Sequence, residues 1–213
     1  MSHQWADCER AFIAARYDRI AGLIGFIDWL FFVPRHFRAH AVKRLGLRPG
    51  QRVLEIGCGT GRNFPYLRAA VGAQGRIYGV DLSAGMLAKA RERNVYDELH
   101  EGELVAFMRA HPAEYDVVIS ADTFVYFGEL EEAFGAAAGA LRSGGIFAFT
   151  VEAEPDDSGE KHRIHNHGRY SHRADYVREC LAGAGLTLVQ LEPGVLRKEM
   201  GADVQGHVVI ARK

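Results

Sequence analysis

Gly57, Gly59 and Gly61 follow directly on the apolar run Val53-Leu54-Glu55-Ile56, with Cys58 and Thr60 between them. A strand that breaks into such a turn brings bare backbone against a ligand, because glycine has no Cβ and tolerates positive φ. In open α/β sheets ligands bind at the carboxyl ends of the strands. The spacing therefore points to a nucleotide-like ligand resting on Gly57 to Gly61, with Glu55 just ahead of the loop. Asp81 is the second half of the pattern. It ends the next apolar run, Arg76 to Val80. An acid about 20 residues beyond a glycine loop, at the end of the following strand, can accept hydrogen bonds from ribose hydroxyls. A dinucleotide fingerprint needs a third glycine for close helix packing, and Arg62 stands at that position. A nicotinamide- or flavin-dependent oxidoreductase is thereby disfavoured.

A second group of chemically capable residues lies between 152 and 172, an apparently irregular stretch holding His162, His165, His167 and His172. A segment of this length without regular pattern reads as a functional loop. The histidines lack neighbouring cysteines and the spacing of a ligand set, so no metal is expected. His165 and His167 stand as candidate general bases.

These residues need elements to hold them. Five runs read as strands: 53–56, 76–80, a short one at 97–101, 115–120 and 146–151. Helices are expected at 63–71, with Pro65 in its first turn, at 84–93, capped by Ser83, at 104–110 and at 130–141. Ser171 is expected to cap a helix over 173–182. Strands 186–191 and 207–211 would form a closing hairpin, with Arg197, Lys198 and Glu199 in a solvated loop between them. Residues 1–46 read as N-terminal helices that lid the pocket, with an apolar run from Ile20 to Val33. That run is shorter than the roughly 20 residues of a membrane span. With Arg35, Arg38, Lys43 and Arg44 after it, the region also fits peripheral contact with a lipid surface.

The 213 residues suit a single domain over 1–213. A net charge of -1 gives no reason to expect nucleic acid. Three widely spaced cysteines form neither a disulfide framework nor a zinc site, and with no secretory signal in view a cytoplasmic protein is expected.

The segment Glu55-Ile56-Gly57-Cys58-Gly59-Thr60-Gly61, taken with Val80-Asp81-Leu82-Ser83 and Met86-Leu87, resembles the class I methyltransferases that use S-adenosylmethionine (SAM). The likeness runs in order from about residue 45 to 213. Ala15-Arg16-Tyr17-Asp18, Arg48-Pro49-Gly50 and Gly61-Arg62-Asn63-Phe64 are similar to phospholipid N-methyltransferases and to ubiquinone and menaquinone biosynthesis methyltransferases. Tyr96-Asp97-Glu98-Leu99 and Gly168-Arg169-Tyr170-Ser171-His172 are similar to predicted methyltransferases often attached to tetratricopeptide repeats, although no such repeat is present.

The resemblance implies an α/β fold with a Rossmann-like, seven-stranded, mostly parallel sheet, helices on both faces and a C-terminal antiparallel hairpin. It implies SAM as cofactor, with Gly57, Cys58 and Gly59 at its methionine end, Asp81 at the ribose, Leu82 and Met86 beside the adenine, and Tyr17 closing over it. Ala121 belongs to the same set, and Glu103 either approaches the adenine amino group or serves as a first-turn helix acid. Asp122, Thr123 and Tyr126 become acceptor-facing, and Tyr126 joins His165 and His167 as a catalytic candidate. The implied chemistry is methyl transfer to a small-molecule or lipid acceptor. A module that binds SAM or S-adenosylhomocysteine (SAH) without turnover is the alternative.

Overall fold

The structure is a computed structural model that describes residues 11–19, 42–94, 96–199 and 201–213. Strands β1 (Arg52–Ile56), β2 (Arg76–Asp81), β3 (Glu98–Glu101), β4 (Tyr115–Ser120) and the first half of β5 (Leu141–Ala153) run parallel. Helices α1 (Phe64–Val71), α2 (Ala84–Glu92), α3 (Leu104–Ala110) and α4 (Glu131–Ala140) make the crossovers. After β5 come a hairpin of β6 (His162–Ile164) and β7 (Tyr170–His172), helix α5 (Ala174–Gly183), and the long pair β8 (Thr187–Glu199) and β9 (Ala202–Arg212). The order is β3-β2-β1-β4-β5-β7-β6, with β9 joining β5 to β8. Residues 11–19 and 42–44 are also helical.

Alternation along each strand builds two cores, because successive side chains point to opposite faces. Leu54, Ile56, Val118, Phe147 and Phe149 face α3, α4 and α5, while Val53, Val117, Ile119, Ile146 and Ala148 face α1. Phe134 of α4 packs on Phe149 at 4.7 Å between ring centroids, and Phe124 on Phe149 at 5.4 Å. Each such fully buried ring contributes about 1.5–3 kcal/mol. This cluster fixes the carboxyl ends of β4 and β5 relative to each other.

The Rossmann-like architecture with helices on both faces and a C-terminal hairpin is present, but among the described residues the sheet has nine strands rather than seven. The two added strands come from the stretch expected to be irregular. β5 continues to Ala153, and β6 and β7 pair beyond it. β4 ends at Ser120 opposite Phe149. Further along, Glu152 faces Gly206 of β9 on one edge and Ser171 of β7 on the other. The hairpin thus stands on the β4 side of β5, above the end of β4. Ser171 lies inside β7 and caps nothing; α5 starts after Arg173, which supplies no side-chain cap. Arg197, Lys198 and Glu199 lie on β8, paired with β9, rather than in a solvated loop. Most of residues 1–46, including the apolar run 20–33, falls outside the described residues.

Candidate active site

The turn after β1 is built on left-handed backbone. Gly57, Gly59 and Gly61 have φ of 65°, 55° and 76°. Gly57 N–H donates to Val80 O at 2.8 Å, tying the loop to the end of β2. A Cβ at Gly57 would stand 2.1 Å from Thr123 Oγ1, so no other residue fits there. Gly59 differs. Nothing lies within 4 Å of where its Cβ would be, so the bare backbone at Gly59 borders open space.

Asp81 closes the other side. Its Oδ2 accepts from Gly59 N–H at 2.8 Å and its Oδ1 from Ser83 N–H at 2.9 Å. A carboxylate offers about four lone-pair sites, and Leu82 N–H also bears on this one, so acceptor capacity remains for a hydroxyl donor. Burial pushes the Asp81 carboxyl above its usual range, and the Ser83 and Gly59 N–H bonds offset part of that rise. Glu55 is 3% exposed. It accepts from Asn63 Nδ2 at 2.7 Å and from the Tyr96 hydroxyl at 2.6 Å, bracing the loop from within. Burial, with Glu55 and Asp81 nearby, pushes the Cys58 thiol well up, so it stays protonated and is no nucleophile.

One cavity gathers most of the residues that the motifs singled out. Tyr17, Glu55, Gly57, Cys58, Gly59, Asp81, Leu82, Met86, Ala121 and Tyr126 all line it, together with Asp122 and Thr123. Helix 11–19 borders it through Ile13, Ala14 and Tyr17. The Tyr17 and Tyr126 hydroxyls meet at 2.6 Å across its mouth. Asp18 clasps the far side. Its Oδ1 accepts from the Ser83 hydroxyl at 2.5 Å and from Gly85 N–H at 2.9 Å. Ser83 meanwhile caps α2 by accepting from Met86 N–H at 3.1 Å.

Three candidates lie elsewhere. The Glu103 carboxylate caps α3, accepting from Val105 N–H at 3.0 Å and Ala106 N–H at 2.8 Å, and does not line the cavity. Of its two expected roles, the helix acid is the one present. His165 and His167 stack on each other at 5.2 Å in the turn of the β6–β7 hairpin, outside the cavity lining. His165 Nε2 pairs with Ser171 Oγ at 2.7 Å, and that hydroxyl donates to the buried Glu154 at 2.5 Å. Among the described residues no group of three or more His, Cys, Asp or Glu side chains could hold a metal ion. No helix of the described residues is long and apolar enough to cross a membrane.

The motifs did not reveal the charged cluster over the carboxyl edge. Arg197 Nη1 donates to Asp122 Oδ1 at 2.9 Å, and Nη2 reaches Glu152. Arg169 lies 3.2 Å from Glu152 and pairs with Glu199. Four elements that are far apart in sequence supply these groups. A second cavity adjoins the first on the α1 face of the sheet. Leu45, Ile119, Ala148, Leu196 and Ile210 give it an apolar wall, and Asn63, Ala121 and Asp122 line both cavities.

Residues 53–145 match the family model of a methyltransferase domain. The 2-phytyl-1,4-naphtoquinone methyltransferase of Trichormus variabilis is 39% identical over 83 residues, which cover 38% of this chain and 36% of the relative. The demethylmenaquinone methyltransferase of Geobacillus stearothermophilus is 32% identical over 93 residues, 44% of this chain and 38% of the relative. The chain therefore spans well under two thirds of the length of these curated relatives. Among solved structures, a [4+2]-cyclase, SpnF, superposes with a TM-score of 0.76 at 18% identity, over 94% of both chains. The magnesium protoporphyrin IX methyltransferase of Synechocystis PCC 6803, solved with bound SAH, gives 0.63 at 16% identity, over 84% of this chain and 83% of that one.

Proposed function

We propose that this chain is a class I SAM-dependent methyltransferase that methylates a small molecule, as a single domain with N-terminal helices as its lid. The observation that carries the reading is the pairing of open glycine backbone at Gly59 with an Asp81 carboxylate already oriented by two N–H donors. In this reading Gly57, Cys58 and Gly59 hold the methionine end of the cofactor, with Glu55 bracing them. Asp81 takes the ribose hydroxyls, and Leu82 and Met86 flank the adenine. Ala121 belongs with the cofactor contacts, Tyr126 lies towards the acceptor, and Tyr17 closes the mouth.

When bound, SAM supplies a methyl group activated by its positive sulfur. The work left to the protein is to bind, orient and exclude water. The Tyr17–Tyr126 contact and the Asp18 clasp hold helix 11–19 against the cavity, which suits that task. The relatives' names point to quinone-type acceptors, and a lipid acceptor remains within the same proposal. A cytoplasmic setting is part of it. So is peripheral contact through the run Ile20 to Val33, for which co-flotation with anionic vesicles is the readout and its absence the refutation.

Isothermal titration with SAM and SAH, and NADH as control, tests the core of this reading. Micromolar binding of both adenosyl ligands without NADH binding is the expected result. NADH binding alone would return the chain to the oxidoreductases. A second reading has one observation behind it, the likeness to a [4+2]-cyclase, since one fold supports unrelated chemistries. Cofactor binding without acceptor-dependent release of SAH would favour it, or a module that only binds.

A further inference from the structure

The junction of the two cavities holds one carboxylate, and its backbone is unusual. Asp122 follows the end of β4 with φ of 57°, one of three left-handed non-glycine residues among those described. Left-handed backbone is uncommon outside glycine, although aspartate adopts it more readily than most residues. The surroundings here are specific. Asp122 N–H donates to Thr150 Oγ1 at 3.0 Å, and Arg197 holds Oδ1 at 2.9 Å. Arg197 is itself 15% exposed and anchored on Glu152 and Glu199. Among the described residues only Oδ1 of the carboxylate is engaged. The side chain keeps 47% of its surface, and the lining of both cavities accounts for where that surface faces.

We propose that Asp122 binds the methyl acceptor through an aryl hydroxyl and takes its proton, while the acceptor's apolar ring lies in the cavity walled by Ile119, Ala148, Leu196 and Ile210. This rests on the methyltransferase reading above. Arg169 and Arg197 are committed to Glu152, Glu199 and Asp122, and Arg44, which also lines this cavity, is paired with Glu192, so each cationic side chain described here already has a carboxylate. That selects a hydrogen-bond donor over an anionic group. The wall behind it is apolar on β4, β5, β8 and β9, which selects a ring or hydrocarbon body over a sugar or amino acid.

The proton balance follows. The hydroxyl O–H bond breaks and its proton passes to Asp122. The oxygen's electron pair forms the bond to the methyl carbon, and the methyl–sulfur pair stays on sulfur, leaving a methyl aryl ether and SAH. The Asp122 carboxyl opens onto the two cavities rather than onto bulk water, and that desolvation raises it above its usual range, while Arg197 opposes the rise and Glu152 adds to it.

The test uses 1-naphthol and 2-naphthol with their methyl ethers as probes, titrated against the protein saturated with SAH. The expected result is at least a ten-fold preference for the naphthols, reduced to less than two-fold in Asp122→Asn and Asp122→Gly. Asparagine tolerates left-handed backbone and glycine prefers it, so neither variant strains the turn further. Unchanged SAH affinity in both variants reports an intact cofactor site. With SAM, naphthyl ether formation should fall at least 100-fold in Asp122→Asn, the scale of a lost general base. Failure to bind SAH would sink the methyltransferase reading. SAH binding with no preference for naphthol, or a preference that survives both substitutions, would overturn the role of Asp122 alone.

Discussion

Asp81 carries two duties at once, and substitutions can separate them. Its oxygens satisfy Gly59 N–H and Ser83 N–H inside the fold, and its remaining lone pairs face the cavity. Asp81→Ala removes both. Leaving buried donors without acceptors costs about 1–3 kcal/mol, so this variant should be measurably less stable and should bind SAH at least ten-fold more weakly. Asp81→Asn keeps one oxygen acceptor and loses the charge. It should regain most of the stability and little of the affinity. Thermal melts and calorimetry on both variants read the two effects separately. Equal SAH affinity in wild type and both variants would remove Asp81 from the ligand site. Part of this was legible from residue types alone: an acid after a strand, a spacing, three glycines. The bracing of Glu55 by Tyr96 was not, because those residues stand 41 positions apart and meet only through the packing of the loop on β2.

At the scale of elements, two side-chain ties among the described residues hold the helical stretch 11–19 to the sheet domain. The Tyr17–Tyr126 hydroxyl pair ties it to the turn after β4, and Asp18 ties it to the start of α2. Its docking should be sensitive to either tie. Tyr17→Phe and Asp18→Asn should each raise amide exchange across 11–19 at least several-fold, with little change in the sheet. SAH should restore protection in the wild type more than in the variants. Exchange that is indifferent to both substitutions would mean that other contacts dock the helix. The clasp should also be indifferent to pH across the neutral range. The Ser83 hydroxyl and Gly85 N–H hold the Asp18 carboxyl below its usual value. Its contribution is therefore full above the unfolded pKa and is lost only as pH falls through the folded one.

Periodicity exposed the buried parallel strands, the crossover helices and the Ser83 cap. It hid the β6–β7 hairpin, whose strands span three residues each and are rich in His and Arg. That hairpin owes its order to tertiary partners: Glu154 reaches both Arg163 and the Ser171–His165 pair. No local pattern encodes such a network. The charged residues of β8 misled for a related reason. An Arg-Lys-Glu run reads as solvated, yet Arg197 is drawn inward by Asp122 from the turn after β4 and by Glu152 from β5.

The whole molecule converges on the carboxyl edge of the sheet, and His172 is the joint that couples the hairpin to the cavity. It is 0% exposed. Its Nε2–H donates to Phe127 O at 2.7 Å and lies 3.2 Å from Gly128 O, while Phe127 itself lines the cofactor cavity. That fixes the proton on Nε2. Nδ1 is buried and meets no hydrogen-bond partner among the described residues. Protonating it would place a charge where nothing accepts its new N–H, and burial accordingly lowers the imidazole to about 4 from 6.5. The folded state then binds fewer protons than the unfolded state between those two values. Stability from this group is full above pH 6.5 and declines as pH falls towards 4, by roughly 3 kcal/mol at most. Burial lowers His167 and His207 in the same direction, so the wild-type pH profile alone cannot isolate His172. Urea unfolding of wild type and His172→Gln at pH 8, 6.5, 5 and 4 does isolate it. The amide of glutamine can still donate to the Phe127 carbonyl but has no titrating nitrogen. Wild type should lose stability relative to the variant across the acidic half of that series and show a constant difference above pH 6.5. A parallel decline in both proteins would place the acid sensitivity elsewhere. If the coupling to Phe127 is as drawn, SAH affinity should weaken over the same window in the wild type and hold steadier in the variant, because the turn that borders the cavity loosens only when His172 takes up its proton.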